Sequence, residues 1–592
     1  MGIQYFYFYV PKIVSLVVFS SSVDLWVWGA SLFVVVFEVL LLTALGRGGF
    51  SRWMVLPCVL VIVSFAVFLV NAVVASFLVV PLGFGFVGLT SFFGAGYSGE
   101  RRRAFGFVLL GVAVLMLVFE FGSFLTWVWN AFDYSFPFVS FDQWRFASVD
   151  VGLFYVFYPL TSWLFVLLLY SWIWIPLGKA AITKVSGLKE AFSRLSGGIS
   201  VGSNRLSRRV LVSILVLIVG AAVFVCYYPY FHVSTGVLAG SDSVTYYNWL
   251  QNLMQNGTSS ALPQDRPFVI FLMFGVQHVS GLSAESVVQV MPAFCAVCAC
   301  LAVFWFVRVG LKNDVLALGA AFLSVLSFQT TVGINAYSLA NWWALVLAFV
   351  LFGLLLKGFE VRSWRFMLAG SIVGMVLLLS HPYTWDVVMA ILLGYAVVSL
   401  VWSFLKKKPE EKLEILGVFL VLGLNLVFFV VYSSLPFGKG VNNASEGTVS
   451  MISPGAGFLG LQKGLESMVQ LWVGGVLGNP LLVILAIFGI FYFVDFAKRF
   501  NRLLLLWVAL PSLALFVVSP SNFFFYRLVY LVPFQVSAAT GLYWLASRLA
   551  NLMNPKKSPV FQVLKYVVII LVVLFLLNYA LRSADGTVLH LI

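Results

Sequence analysis

Four polar segments of this sequence carry residue types suited to chemistry. Asp242 lies in Gly-Ser-Asp-Ser-Val-Thr-Tyr-Tyr, and Asp265-Arg266 follows later in the same polar stretch. His381 lies in Ser-His-Pro-Tyr-Thr-Trp, and Arg527 lies in Tyr-Arg-Leu-Val-Tyr-Leu-Val-Pro-Phe. A carboxylate can accept a proton, and a guanidinium can bind an anionic oxygen through parallel hydrogen bonds. Because these residues lie at the ends of apolar runs, we expect them to converge on one cavity at a membrane interface.

The residues around Asp242 predict a short helix. Gly240 and Ser241 are good helix breakers and caps, and the stretch after Asp242 is amphipathic enough to be helical. Asp242 would then lie at the helix N-terminus, with Tyr246 one turn later on the same face. The same pattern also fits an ordinary N-cap aspartate without chemistry, so both interpretations stay open.

A second helix is predicted over 268–282, after Asp265-Arg266-Pro267. This apolar stretch is too short to cross a bilayer comfortably, so we expect it to lie in the membrane interface with Pro267 in its first turn. Asp265 and Arg266 are candidates for ligand contacts or for a local salt bridge at the membrane surface.

His381 and Arg527 each have a plainer alternative. His381 can be part of a helix break with Pro382, its imidazole bonded to the backbone, or a site residue at a membrane interface. Arg527 can be an interfacial arginine whose charged end reaches toward water, or a ligand contact.

The composition places these segments in a membrane protein. Of the 592 residues, 62% are hydrophobic and only 9% are charged, whereas a soluble chain carries roughly 25% charged residues. These values exclude soluble multidomain, disordered and disulfide-rich classes. The net charge of +14 needs no nucleic-acid partner, because basic residues in cytoplasmic loops orient membrane proteins.

Apolar runs from residue 210 onward predict a polytopic all-α protein with about 15 transmembrane spans in all. These runs are 210–227, 287–307, 314–327, 338–357, 366–380, 386–404, 413–433, 477–496, 503–518, 529–548 and 562–580. Basic residues fall in alternate loops, which the positive-inside rule assigns to the cytoplasm. The predicted outward segments are 228–286, 328–337, 381–385, 434–476, 519–528 and the tail from 581.

Two parts are predicted from this pattern. Residues 1–205 form an N-terminal transmembrane module of unknown role, with less regular apolar runs. Residues 206–592 form the domain that carries the polar segments, with a first outward loop over 228–286. The outward loop 434–476 contains Ser-Pro-Gly-Ala-Gly and is interpreted as a mobile flap.

The polar segments, in this order and on one face of the membrane, resemble the GT-C glycosyltransferase superfamily. The resemblance covers roughly 210–580 and includes the His-Pro-aromatic-Thr-Trp element of archaeal members. It implies a GT-C-like core with extracytoplasmic loop helices. It also implies an inverting transferase in the plasma membrane, working at the extracytoplasmic face with a polyprenyl (dolichyl) phosphate sugar as donor. The acceptor would be a glycan, a lipid or a protein.

Carried over by position, the resemblance assigns Asp242 as the general base and Arg527 as a contact to the donor phosphate. The further substrate-binding candidates, whose contacts would be to phosphate or to sugar, are Asp265, Arg266, His381, Lys439, Tyr246, Tyr383 and Trp385. Neither Ser243 nor the loop 328–337 supplies a second carboxylate, so we expect no metal ion and no other cofactor.

Asn341-Trp342-Trp343-Ala344 lacks the aspartate that oligosaccharyltransferases carry after paired tryptophans. The sequence is therefore more similar to the protein mannosyltransferase and aminoarabinose transferase class. Three alternatives remain: a polysaccharide polymerase or ligase, a lipid-linked saccharide transporter or flippase, and a non-catalytic membrane protein. A transporter usually shows paired repeats and polar residues near the midplane of the bilayer, which this sequence does not show.

Overall fold

The computed structural model describes most of the domain that carries the polar segments and little of the chain before it. The described residues are 168–173, 205–231, 236–406, 412–450, 480–494, 498–514, 524–552, 570, 572–574, 576–577, 580–581, 583–584 and 589–591. The predicted N-terminal module, apart from 168–173 and Arg205, and most of the predicted flap lie outside these residues. The predicted span 562–580 lies within them only in part.

The chain divides into two compact units. One comprises 1–166, 177–198 and 544–578, and the other comprises 167–176, 199–543 and 579–592. Nearly all described residues belong to the second unit, which carries the candidate site. The proposed division at residue 205 stays a prediction.

The described part is mostly helical. In the first half of the second unit, the elements in chain order are α1 (Arg208–Tyr227), β1 (Val237–Ala239), α2 (Ser243–Asn256), α3 (Pro267–Ser280), α4 (Ala284–Leu311), α5 (Asp314–Val325), α6 (Phe328–Asn335), α7 (Leu339–Val361) and α8 (Trp364–Ser380). They are followed by α9 (Pro382–Lys406), α10 (Lys412–Ser433), α11 (Lys439–Ser450), α12 (Pro480–Ile490), α13 (Arg499–Ala514), α14 (Phe524–Tyr530), α15 (Phe534–Leu552, which runs into the first unit) and β2 (Leu589–Leu591).

Among the described residues, six helices are long and apolar enough to cross a membrane. They are Arg208–Tyr230, Ala284–Leu311, Asp314–Asn335, Leu339–Val361, Pro382–Phe404 and Leu413–Ser433. Such helices form because a backbone in lipid must satisfy its hydrogen bonds internally. The finding indicates a membrane protein. Three shorter apolar helices, Pro267–Ser280, Trp364–Ser380 and Leu481–Ile490, accompany them.

Two local predictions are confirmed as helices. The segment after Asp242 is α2, and the apolar stretch after Arg266 is α3, with Pro267 in its first turn. Pro267 suits this place because a first-turn amide has no partner within the helix.

Three predicted loops are wrong in extent. The segment 328–337 is mainly α6. The hydroxyls of Ser327 and Thr330 both donate to the carbonyl of Ser324, and because these polar groups are satisfied locally, the chain can resume a helix there. The segment 381–385 shrinks to His381, since α9 begins at Pro382. The segment 519–528 ends in a helix, because α14 begins at Phe524.

A small sheet was missed by the all-α prediction. β2 pairs antiparallel with β1, so that Val237 faces Leu591 and Ala239 faces Leu589. β1 leads directly into the turn that carries Asp242. This pairing holds part of the tail against the first predicted outward loop.

Charged residues gather at the opposite end of the long helices from β1. Where α4 ends and α5 begins, Arg308 lies 2.8 Å from the buried carboxylate of Asp314. Lys312 and Lys357 both pair with Glu360, at 2.8 and 2.9 Å. β1, by contrast, lies at the start of α4, where the side chain of Gln289 donates to the carbonyl of Val237 at 2.9 Å.

Candidate functional site

The turn before α2 requires glycine at position 240. Gly240 has φ +99°, and a Cβ there would lie 2.5 Å from the carbonyl oxygen of Ile334 and 2.7 Å from Cβ of Tyr337. The amides of Ser241 and Asp242 donate to the carbonyls of Asn335 and Ala336, at 3.0 and 3.2 Å. The turn is thus held against the end of α6, and Asp242 is held with it.

Asp242 occupies the N-cap position of α2, but its side chain forms no capping hydrogen bond. The hydroxyl of Ser243 donates instead to the carbonyl of Gly240 at 2.7 Å. The Asp242 side chain is exposed, and no contact of its carboxylate to another described residue is present. Capping therefore does not explain this carboxylate, which stands free to accept a proton.

Tyr246 is a buried link between three elements. Its side chain is 1% exposed, and its ring packs on Trp249 and Tyr337, with centroids 5.2 and 5.3 Å apart. Its hydroxyl oxygen accepts from the amide of Ala340 at 3.1 Å and from Nη1 of Arg266 at 3.3 Å. Burial raises the pKa of Tyr246, so the hydroxyl stays neutral at physiological pH. With no exposed ring face, Tyr246 can position Arg266 but cannot stack on a sugar in this conformation.

Arg266 is linked to the start of α7 through the hydroxyl of Tyr246. Its Nε lies 3.0 Å from Oδ2 of Asp265, and its guanidinium lies 5.8 Å from the ring centroid of Trp249. Burial by itself would lower the pKa of Arg266, but Tyr246 and Asp265 outweigh this effect and raise it, so the group stays charged. The local salt bridge is present, and it holds one side of a cationic site.

Arg527 supplies a second positive charge, from α14. Its guanidinium carbon lies 4.5 Å from the ring centroid of Tyr383, a cation–π distance. The side chain is half-buried, and within the described ranges no carboxylate forms an ion pair with it. Burial lowers the pKa of Arg527, and the charge of Arg266 lowers it further. Arg266 and Arg527 therefore repel each other, which the carboxylate of Asp265 offsets in part and a bound anion would relieve further.

His381 is 2% exposed, and the charges of both arginines act on it. Its Nδ1 accepts from the amide of Thr384 at 3.2 Å, so the backbone-bonded arrangement is present. Burial holds the pKa of His381 well below its usual range, and the charges of Arg266 and Arg527 lower it further. The imidazole is therefore neutral at physiological pH. Its ring centroid lies 5.6 Å from that of Tyr383, the ring that Arg527 contacts.

No protein-family model matches this sequence, and no curated protein matches it. We call Arg266, His381, Tyr383 and Arg527 the cationic cluster.

Two further predicted residues, Trp385 and Lys439, lie in different surroundings. Trp385 is buried, its Nε1 donates to Oδ1 of Asn425 at 3.1 Å, and its ring stacks on Phe429 at 5.5 Å. This packing gives Trp385 a structural role and leaves it no exposed face for a sugar. Lys439 is exposed at the start of α11, where its neighbour Gly440 lies directly against the backbone of Pro263 and Gln264. Lys439 thus lies near Asp265 but not in the cationic cluster as defined.

Two residues near the cluster were missed from the sequence. Thr384 and Asn341 bond to one another, with Thr384 Oγ1 donating to Asn341 Oδ1 at 2.9 Å. Asn341 lies in a predicted span, where only its polarity marked it. Among the described residues, no group of three His, Cys, Asp or Glu side chains is placed to hold a metal ion.

Proposed function

We propose that this protein is an inverting membrane glycosyltransferase that uses a polyprenyl-phosphate-linked sugar. The observation that carries the proposal is the half-buried Arg527, on which the charge of Arg266 acts and with which no carboxylate of the described residues forms an ion pair. Two such guanidinium groups fit a phosphate, which offers several acceptor oxygens. The carboxylate of Asp242 is exposed and forms no capping hydrogen bond. It lies one helical turn from Tyr246, whose hydroxyl accepts from Arg266, so Asp242 would supply a base near this anion site.

In the proposed reaction, these residues take the following roles. An acceptor hydroxyl attacks the anomeric carbon while Asp242 takes its proton. The bond between that carbon and the phosphate oxygen breaks, and its electron pair leaves with the phosphate. Arg527 and Arg266 stabilise the charge that develops there. Direct displacement inverts the anomeric configuration.

The membrane side is proposed from the ends of the helices. Site residues lie where α7 begins and α8 ends, whereas Lys312, Lys357 and Glu360 lie at the other ends of α4 and α7. Because lysine and arginine favour cytoplasmic loops, the site would face the extracytoplasmic side of the plasma membrane. The acceptor would then be a glycan, a lipid or a protein outside the cytoplasm.

The test is incubation of the purified protein with polyprenyl-phosphate sugars and measurement of released polyprenyl phosphate. We expect Asp242→Asn to lower the transfer rate by about 100-fold or more, since general-base catalysis contributes about 10²–10⁴. Its thermal stability should be unchanged, because the carboxylate makes no described contact.

The result can also contradict the proposal. Full transfer by Asp242→Asn would remove the base assignment. Movement of the lipid-linked sugar across vesicles without any transfer would instead favour a transporter. Elongation of a saccharide chain on its lipid would favour a polymerase.

A further inference from the structure

The chain breaks between two helices directly after the segment that carries Arg527. Helix α14 ends at Tyr530, and α15 begins at Phe534. Pro533 lies between them and has no N–H group, so the helical hydrogen bonds are interrupted here. Backbone carbonyls that lose their helical partners within a membrane protein need donors from elsewhere in the fold.

The side chain of Gln329, in the first turn of α6, supplies such a donor. Its Nε2 lies 3.3 Å from the carbonyl oxygen of Tyr530 and 2.8 Å from that of Val532. Because a carbonyl can only accept, the nitrogen of the amide must be the atom that faces the break. Gln329 is 2% exposed, and its Oε1 has no partner among the described residues. The hydrogen bonds of this side chain are therefore all made to the break.

The break binds α6 in return. The hydroxyl of Tyr530 donates to the main-chain carbonyl of Gln329 at 2.7 Å. The ring of Phe328, the residue before Gln329, packs on the rings of Tyr530 and Phe534, with centroids 6.2 and 5.3 Å apart. The start of α6 thus contacts the break on both of its sides.

These contacts act on Arg527 through its helix. Arg527 lies one turn before Tyr530, and α14 has only seven residues. So short a helix has few internal hydrogen bonds, so the contacts at its end help to set its direction. The guanidinium itself lies against the ring of Tyr383. A change at Gln329 would therefore move the charge relative to that ring and to a bound anion.

The other end of α6 holds the turn of Asp242. There the carbonyls of Asn335 and Ala336 accept from the amides of Ser241 and Asp242. The eight residues of α6 span about 12 Å at 1.5 Å per residue. One short helix thus contacts both the segment of the proposed base and the segment of the proposed phosphate ligand.

We propose that Gln329 is a positioning residue for Arg527, and that α6 sets the placement of Arg527 relative to Asp242. The inference rests on the proposed function for the roles of those two residues. It gives an uncharged residue outside the cationic cluster a part in binding the phosphate of the donor.

Two substitutions remove the donor at position 329. Gln329→Met has a similar length and volume but no N–H group, and Gln329→Glu keeps the shape of the side chain but replaces its N–H group by an oxygen. Gln289→Met is the matched control, because the side chain of Gln289 also donates to a backbone carbonyl, that of Val237, away from the break. The probe is farnesyl phosphate, titrated against the full-length protein in nanodiscs, with thermal unfolding measured for each variant.

We expect both Gln329 variants to bind farnesyl phosphate about 5-fold or more weakly, because a displaced guanidinium loses part of its charged hydrogen bonding to the phosphate. Gln289→Met should keep its affinity within about 3-fold of that of the wild type. Unchanged affinity in a folded Gln329 variant, or an equal loss in the control, would overturn the positioning role.

A double-mutant cycle separates positioning from general loosening of the fold. In an Arg527→Ala background, Gln329→Met should lower the affinity for farnesyl phosphate no further, while its effect on thermal stability should persist. A further loss of affinity equal to that in the wild-type background would show that Gln329 does not act through Arg527.

Amide hydrogen exchange tests the hold on α14 without any ligand. Exchange over 524–533 should rise in Gln329→Met and stay unchanged in Gln289→Met, and unchanged exchange in both would overturn the inference. If the wild type does not bind farnesyl phosphate, or Arg527→Ala binds it equally well, the proposed anion site fails instead, and the exchange data still decide whether Gln329 holds the helix of Arg527.

Discussion

At the scale of single residues, Tyr246 shows how burial changes a role. An aromatic residue in a loop is a natural candidate for sugar stacking, yet the structure uses its hydroxyl to join Arg266 to the first turn of α7. The two roles make different demands, since stacking needs the ring and positioning needs the oxygen.

Tyr246→Phe separates these roles because it keeps the ring and removes the oxygen. We expect farnesyl phosphate affinity to fall several-fold and thermal stability to fall, because the buried amide of Ala340 loses its acceptor, at a cost of about 1–3 kcal/mol. Tyr247→Phe on the same helix is the control, since its hydroxyl accepts only from Gln251 among the described hydrogen bonds. Unchanged affinity and stability in Tyr246→Phe would contradict the positioning role.

His381 makes stability depend on pH. Its folded-state pKa is well below the value of about 6.5 expected in the unfolded chain, because the ring is buried and both arginines oppose protonation. Its contribution is therefore fully present above pH 6.5 and is lost as the pH falls below that value. Between pH 7.5 and pH 5.0, the melting temperature of the wild type should fall more than that of His381→Asn. Equal decreases in the melting temperature would indicate that the pKa of His381 is the same in the folded and unfolded states.

At the scale of elements, the turn between β1 and α2 sets the position of Asp242. Backbone bonds tie this turn to the end of α6, while β2 pairs with β1 immediately before it. Because Gly240 is in close contact with Ile334 and Tyr337, any side chain there must displace one of these partners.

Gly240→Ala should therefore move Asp242 and lower the transfer rate by about 10-fold or more, since a misplacement of about 1 Å can cost 10²-fold. Gly257→Ala is a matched control in the same loop. Gly257 also has a positive φ, +73°, but a Cβ there meets no atom within 4 Å. The Gly257→Ala variant should lose stability from backbone strain, while its transfer rate stays within about 3-fold of that of the wild type. Similar rates for the two variants would show that the turn does not position the base.

At the scale of the whole molecule, the two ends of the long helices differ in charge. The cationic cluster and β1 lie at one end, and the Lys312–Glu360–Lys357 group lies at the other. The positive-inside rule then predicts the orientation of the chain.

Cysteine labelling in intact cells tests this orientation. In a cysteine-free background, Gln255→Cys on exposed α2 should react with a membrane-impermeant maleimide. Glu360→Cys, exposed at the other end, should react only after the membrane is opened. The reverse pattern would place the site in the cytoplasm and would exclude the proposed side of reaction.

Local patterns in the sequence were sufficient for most helices from residue 208 onward, because an apolar run in lipid has few alternatives to a helix. They also predicted α2 and α3 from Gly240 and Pro267, since turns and first helical positions depend on neighbouring residues. Local pattern failed at α6, whose Thr330 hydroxyl is satisfied by a carbonyl six residues earlier, and at β2, whose partner strand is distant in the chain.

The same distinction separates the residue types of the site from their arrangement. Asp242, Arg266, His381 and Arg527 were recognisable one by one, because charge is rare in so apolar a chain. The hydrogen bond from Arg266 to Tyr246, the burial of Tyr246 and Trp385, and the contact between Arg527 and Tyr383 all depend on packing between distant segments. Hydropathy and spacing describe a residue and its neighbours along the chain. Burial, ion pairing and tautomer depend on neighbours in space.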